Sequence, residues 1–237
     1  MRPPFDILLE DNHVLVINKP VGLPTMGVAD DRDTALTLAK EYIAKKYNKP
    51  GNVYLGIVSR LDAPTSGALL IARTSKAANR LTAQFRDGSV TKQYWALVEG
   101  ETPVGPILLR DFMRKDERHR RMHIANASSP GAQEARLSYK RLAMVRNASL
   151  LEVELDTGRK HQIRVQLSSE DHPILGDRKY GATRAFPPRS AANKRDRDVG
   201  IALHSRRLVF EHPVRREPVE IVAPLPATWL DFGVRDE

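Results

Sequence analysis

The chain has 237 residues, 41% of them hydrophobic and 28% charged, enough apolar material for a folded core and too much for a disordered chain. Cysteine is absent, which excludes disulfides, thiolate zinc sites and a cysteine nucleophile. A net charge of +9 suits a polyanionic partner, most simply nucleic acid, though charge alone fits a merely soluble basic protein equally well.

The N-terminus, Met1-Arg2-Pro3-Pro4-Phe5-Asp6, lacks the features of a signal peptide, and no apolar run reaches membrane-spanning length. The reading is a soluble, cytoplasmic protein, in which the sequons at Asn126 and Asn147 carry no sugar. Phe5 to Leu9 and Val14 to Ile17 read as two short strands. Asn18 to Pro24, with two prolines and a glycine, reads as an ordered turn. Asp33 to Tyr47 fits an amphipathic helix, capped by Asp33 or Thr34 and ended by Pro50-Gly51.

Val53 to Val58 and Ala68 to Ala72 read as buried strands around Ser59-Arg60-Leu61-Asp62-Ala63-Pro64-Thr65-Ser66-Gly67. A loop between core strands is a rigid mount for a carboxylate. The competing reading is a turn in which Asp62 caps backbone N–H groups. A second helix is predicted from Ser75 to Arg86, with Ser75 as N-cap and Gly88 beyond its end. Val90 to Val98 is β-rich. Arg110 to His123 carries six Arg/Lys against three acids and reads as a solvated hairpin or a phosphate-contacting arm. Ala135 to Val145 and Leu150 to Leu155 read as paired strands. A short helix is expected from Lys160, with Ile163 and Leu167 on one face. Its basic first turn conflicts with the helix dipole and so hints at an anionic ligand. Thr183 to Asp198 reads as a mobile basic surface insertion, and Ile201 to Phe210 and Val219 to Val222 as closing strands. Residues 1–237 are expected to form a single catalytic domain.

Several stretches, in order, resemble the RluA-type family of RNA pseudouridine synthases. They are Asn18-Lys19-Pro20-Val21-Gly22-Leu23, Arg60-Leu61-Asp62 with Thr65-Ser66-Gly67, and Lys92-Gln93-Tyr94-Trp95-Ala96. Thr157-Gly158-Arg159-Lys160-His161-Gln162-Ile163-Arg164 follows, then His172-Pro173-Ile174-Leu175-Gly176-Asp177 with Tyr180-Gly181, Leu203-His204 and His212-Pro213. Ser59 stands where the family usually has His. The reading expects a catalytic domain alone, without the N-terminal S4-type domain found in many of the family.

The resemblance implies an α+β fold, with a mixed, mostly antiparallel sheet, packed helices and a basic cleft. It implies isomerisation of uridine to pseudouridine in structured RNA, ribosomal or transfer, by a monomer with no obligate protein partner, cofactor or metal. Asp62 would act at the ribose, either attacking C1′ or removing the C2′ proton, and Arg164 would keep it ionised. Arg60 would fill the space left by the flipped base, while Tyr94 and Ile163 pack against that base. Lys19, Arg159 and Lys160 would contact phosphates, with Lys92 a weaker candidate. The rivals are a non-catalytic RNA-binding protein and a hydrolase using Ser59 or Ser66, though neither serine sits in a Gly-x-Ser-x-Gly elbow.

Overall fold

A computed structural model describes residues 3–27, 32–119, 121–187 and 200–235. The chain divides into two compact units. One is formed by residues 1–91 and 205–226, the other by 92–204 and 227–237.

In the first unit, strands β1 (Asp6–Glu10) and β2 (Val14–Lys19) form the expected antiparallel pair. Helix α1 (Ala35–Lys46) follows, then the two-residue strand β3 (Gly56–Ile57) and strand β4 (Ser66–Ala72). Helix α2 (Ser75–Asp87) comes next, and the C-terminal strands β10 (Leu203–Glu211) and β11 (Pro218–Val222) close the unit. The strand order is β1-β2-β4-β10, with β11 on β10 and β3 on β4. Every residue of β4 is buried, as its unbroken apolar run predicts. Val14, Val16, Leu70, Leu81, Leu208 and Phe210 belong to one core cluster. Thr34 caps α1 through a reciprocal bond with Thr37, as one of the two expected caps. Thr74 rather than Ser75 caps α2, accepting from the Ala77 N–H, so that cap is one residue earlier than predicted. Gly88 ends α2 at φ +76°, the left-handed conformation that glycine adopts without strain.

In the second unit, β5 (Thr91–Glu99), β6 (Ile107–Asp116), β7 (Arg121–Ala125), β8 (Gln133–Val145) and β9 (Ala148–Leu155) run in the order β5-β9-β8-β6-β7. Their pairings are antiparallel. The basic stretch from Arg110 is thus the hairpin β6–β7. Arg146 and Asn147, both at positive φ, make the tight turn between β8 and β9. Helix α3 (Gln162–Ser169), a 3-10 turn at Arg178–Tyr180 and helix α4 (Ala227–Phe232) complete the unit. The sequence reading missed α4, which buries Trp229 and Phe232. Most of the expected insertion at Thr183 to Asp198 lies outside the described residues. Its first part is anchored by Glu99, whose carboxylate accepts from the Thr183 N–H and hydroxyl and from the Arg184 N–H. The fold is α+β, with a mixed, mostly antiparallel strand arrangement. No helix among the described residues is long and apolar enough to cross a membrane.

Candidate active site

The loop between β3 and β4 carries Asp62, half-buried, and Arg60, exposed. Main-chain atoms of this loop are held from the turn that follows β2. Lys19 Nζ donates to the carbonyls of Pro20 (2.9 Å), Leu23 (2.8 Å) and Ala63 (3.2 Å). Gly22 N–H also donates to the Ala63 carbonyl at 2.9 Å. The Thr25 hydroxyl donates to the Leu61 carbonyl at 2.7 Å and accepts from the Leu61 N–H at 3.1 Å. Within the loop, Thr65 N–H donates to the Asp62 carbonyl. Gly67 closes it at φ +110°; a Cβ there would lie 2.3 Å from the Ser205 carbonyl oxygen, so β10 passes where only glycine fits.

Lys19 corrects an expectation. It is fully buried, and its three N–H donors meet three carbonyls, so it has no surface to offer a phosphate. Burial pushes its ammonium down to about 7, while the Asp62 carboxylate acts in the opposite sense. Lys19 and Asp62 are therefore electrostatic neighbours.

In the second unit the motif from Thr157 folds on itself. The Gln162 carboxamide oxygen accepts from the Thr157 hydroxyl (2.7 Å) and the Arg159 N–H (3.0 Å), and its NH₂ donates to the Arg136 carbonyl (2.9 Å). One side chain thus pins the Thr157–Arg159 turn to β8. His161, at φ +57°, is the N-cap residue of α3 but makes no side-chain cap bond. The helix begins at Gln162, two residues later than expected. Arg159 and Lys160 therefore lie exposed in the preceding turn, and the basic residue left in the helix's first turn is Arg164, whose charge is met by Asp177.

Arg164 is buried, and its guanidinium meets Asp177 at two points, Nε–Oδ2 2.6 Å and Nη2–Oδ1 2.8 Å. It also lies 4.9 Å from the Tyr180 ring centroid. The Tyr180 hydroxyl accepts from the Met122 N–H and lies 2.6 Å from His161 Nδ1, in a hydrogen bond whose donor is set by the imidazole tautomer. Ile163 is buried. Tyr94 is half-buried on β5, opposite Val153. Lys92 is buried too, and burial lowers its pKa against the opposing charges of Asp156 and Glu154.

Each unit thus gathers part of the predicted set: Lys19, Arg60 and Asp62 in the first, Tyr94, Arg159, Lys160, Ile163 and Arg164 in the second. Gln162, Asp177 and Tyr180 fall within the sequence motifs without a role that sequence assigns, and no motif marks Thr25. Among the described residues no group of three or more His, Asp or Glu side chains is arranged to hold a metal ion.

Solved structures define the class. Human RNA Pseudouridylate Synthase Domain Containing 4 superposes with a TM-score of 0.75 at 27% identity, covering 95% of this chain and 90% of that one. Human RNA Pseudouridylate Synthase Domain Containing 1 gives 0.71 at 25% identity, with coverages of 94% and 84%. The fold is that of a pseudouridine synthase. The RNA pseudouridylate synthase family pattern matches residues 13–169. Ribosomal large subunit pseudouridine synthase D of Zymomonas mobilis is 36% identical over 94% of this chain and 70% of its own length. Its namesake in Xylella fastidiosa is 38% identical over 94% and 66%. The chain belongs to the RluA-type family of RNA pseudouridine synthases, isomerases that convert uridine in RNA to pseudouridine.

Proposed function

We propose that the substrate is ribosomal RNA and that Asp62 is the carboxylate that opens the reaction at the ribose of a flipped-out uridine. The relatives named for the ribosomal large subunit support the choice of RNA. Breaking the N1–C1′ bond develops positive charge on the sugar, which a carboxylate meets by attack at C1′ or by taking the C2′ proton. Arg164 supplies the cation of the site, Tyr94 and Ile163 pack against the uracil, and Arg60 occupies the space the base leaves. Arg159 and Lys160, both exposed, contact phosphates. The enzyme works as a cytoplasmic monomer, without an obligate protein partner, and residues 1–237 act as one catalytic domain.

The observation that carries this reading is the loop around Asp62, whose main chain is tied down on both sides of the carboxylate. A mere turn cap needs no such framing. The test is Asp62→Asn. Pseudouridine formation on large-subunit RNA is expected to vanish while RNA affinity stays within about threefold, since the removed charge is not a phosphate contact. Turnover retained in that variant refutes the role of Asp62. Site-resolved mapping of total RNA with and without the protein identifies the uridine.

A further inference from the structure

We propose that Thr25 is a positioning residue for the reaction, holding Asp62 in its working orientation through the main chain of Leu61; this rests on the reading of Asp62 as the reacting carboxylate. The segment from Ser59 to Thr65 contains no strand, so its peptide groups have no ladder to join. Leu61 is buried, and buried N–H and C=O groups need partners. A hydroxyl is one of the few side-chain groups that donates and accepts from a single atom. Thr25, itself 3% exposed, uses both capacities on one residue, 36 positions away.

The other end of the lever is equally fixed. The Thr25 carbonyl accepts from Leu36 N–H at 3.1 Å, and the Pro24 carbonyl from Ala35 N–H at 2.8 Å. These are N–H groups of the first turn of α1, which have no partner inside the helix. Helix α1 thus anchors Thr25, Thr25 grips Leu61, and Leu61 is bonded to Asp62. On the far side Gly22 and Lys19 hold Ala63. The carboxylate is suspended between two restrained residues, and a small misplacement of a reacting group is enough to slow chemistry.

The experiment compares Thr25→Val, which keeps the shape and removes the hydroxyl, with Thr25→Ser, which keeps the hydroxyl. Single-turnover rates and RNA affinities are measured well below each variant's melting temperature, with Asp62→Asn alongside. Thr25→Val is expected to slow the saturated rate on the order of tenfold to a hundredfold with affinity within about twofold, while Thr25→Ser stays within about threefold of the parent. If valine prevents folding, Thr25→Cys, a weak donor of similar size, takes its place and is expected to show the same split. A folded valine or cysteine variant at the parent rate overturns the proposal, as does a serine variant as slow as valine. Turnover by Asp62→Asn instead removes the reading beneath it. Asp62→Asn inactive with Thr25→Val fast removes only the role of Thr25.

Discussion

Arg164 and Asp177 meet as a two-point fork whose side chains are only 6% and 2% exposed. Removing Asp177 takes two charge-assisted hydrogen bonds from a buried guanidinium, each worth about 1.5–3 kcal/mol. Asp177→Ala is therefore expected to lower the free energy of unfolding by about 3 kcal/mol or more, read from urea transitions. A loss under about 1 kcal/mol would mean the fork does not hold α3 to the segment that carries Asp177.

Tyr180→Phe keeps the ring beneath Arg164 and removes the hydroxyl between Met122 and His161. The Met122 N–H then lacks its acceptor, at a cost of about 1–3 kcal/mol. Amide exchange at Met122 is expected to accelerate more than at its β7 neighbours. Unchanged exchange there would show that the hydroxyl does not anchor β7.

Lys19 gives stability a distinctive pH dependence. Its folded pKa is lowered to about 7 from 10.5 by burial. Between those values the unfolded chain holds the proton and the folded chain does not, so this group makes stability rise with pH across that window. Lys19→Met has no ammonium to titrate. The difference in unfolding free energy, parent minus variant, is expected to grow from about pH 7 toward 10, and a difference that is flat or falls contradicts the shift.

Gly67→Ala is expected to be severe. The new methyl would meet the Ser205 main chain at a φ that L-residues seldom adopt. A loss of about 2 kcal/mol or more is expected, with activity falling further than stability because the loop at Asp62 must shift. A variant with the parent's melting temperature would contradict the close packing of β10 against the loop.

RNA affinity is expected to fall steeply with salt, and Lys160→Ala to reduce the logarithmic slope by about one phosphate contact. Lys160 is exposed beside the pinned turn, which leaves its charge available. An unchanged slope would exclude it from the RNA contact.

Unbroken apolar runs such as Ala68 to Ala72 announce strands buried on both faces, and β4 is one. The resemblance in the Thr157–Arg164 stretch led to the right family because its residue types are so specific. What stayed hidden was why those types occur together. Gln162 looks like an ordinary polar helix residue until its three partners, drawn from Thr157, Arg159 and Arg136, are seen. Asp177 and Arg164 are 13 residues apart, at no spacing that local periodicity detects. Lys19 was misread because lysine is almost always exposed, and its carbonyl cage is assembled partly from a segment 44 residues away. Helix α4 is only six residues long, too short for a periodic signal, although Trp229 and Phe232 fall at the three-residue step of a buried face.

The grips of Thr25, Lys19 and Gly22 on the loop at Leu61 and Ala63 fall on main-chain atoms. Position 62 is accordingly a socket, flanked on both sides by residues whose main chain is held. Nonnatural carboxylates, longer acids or reactive warheads installed there would inherit the same mounting, which makes this site a suitable place to rewrite the chemistry without rebuilding the scaffold.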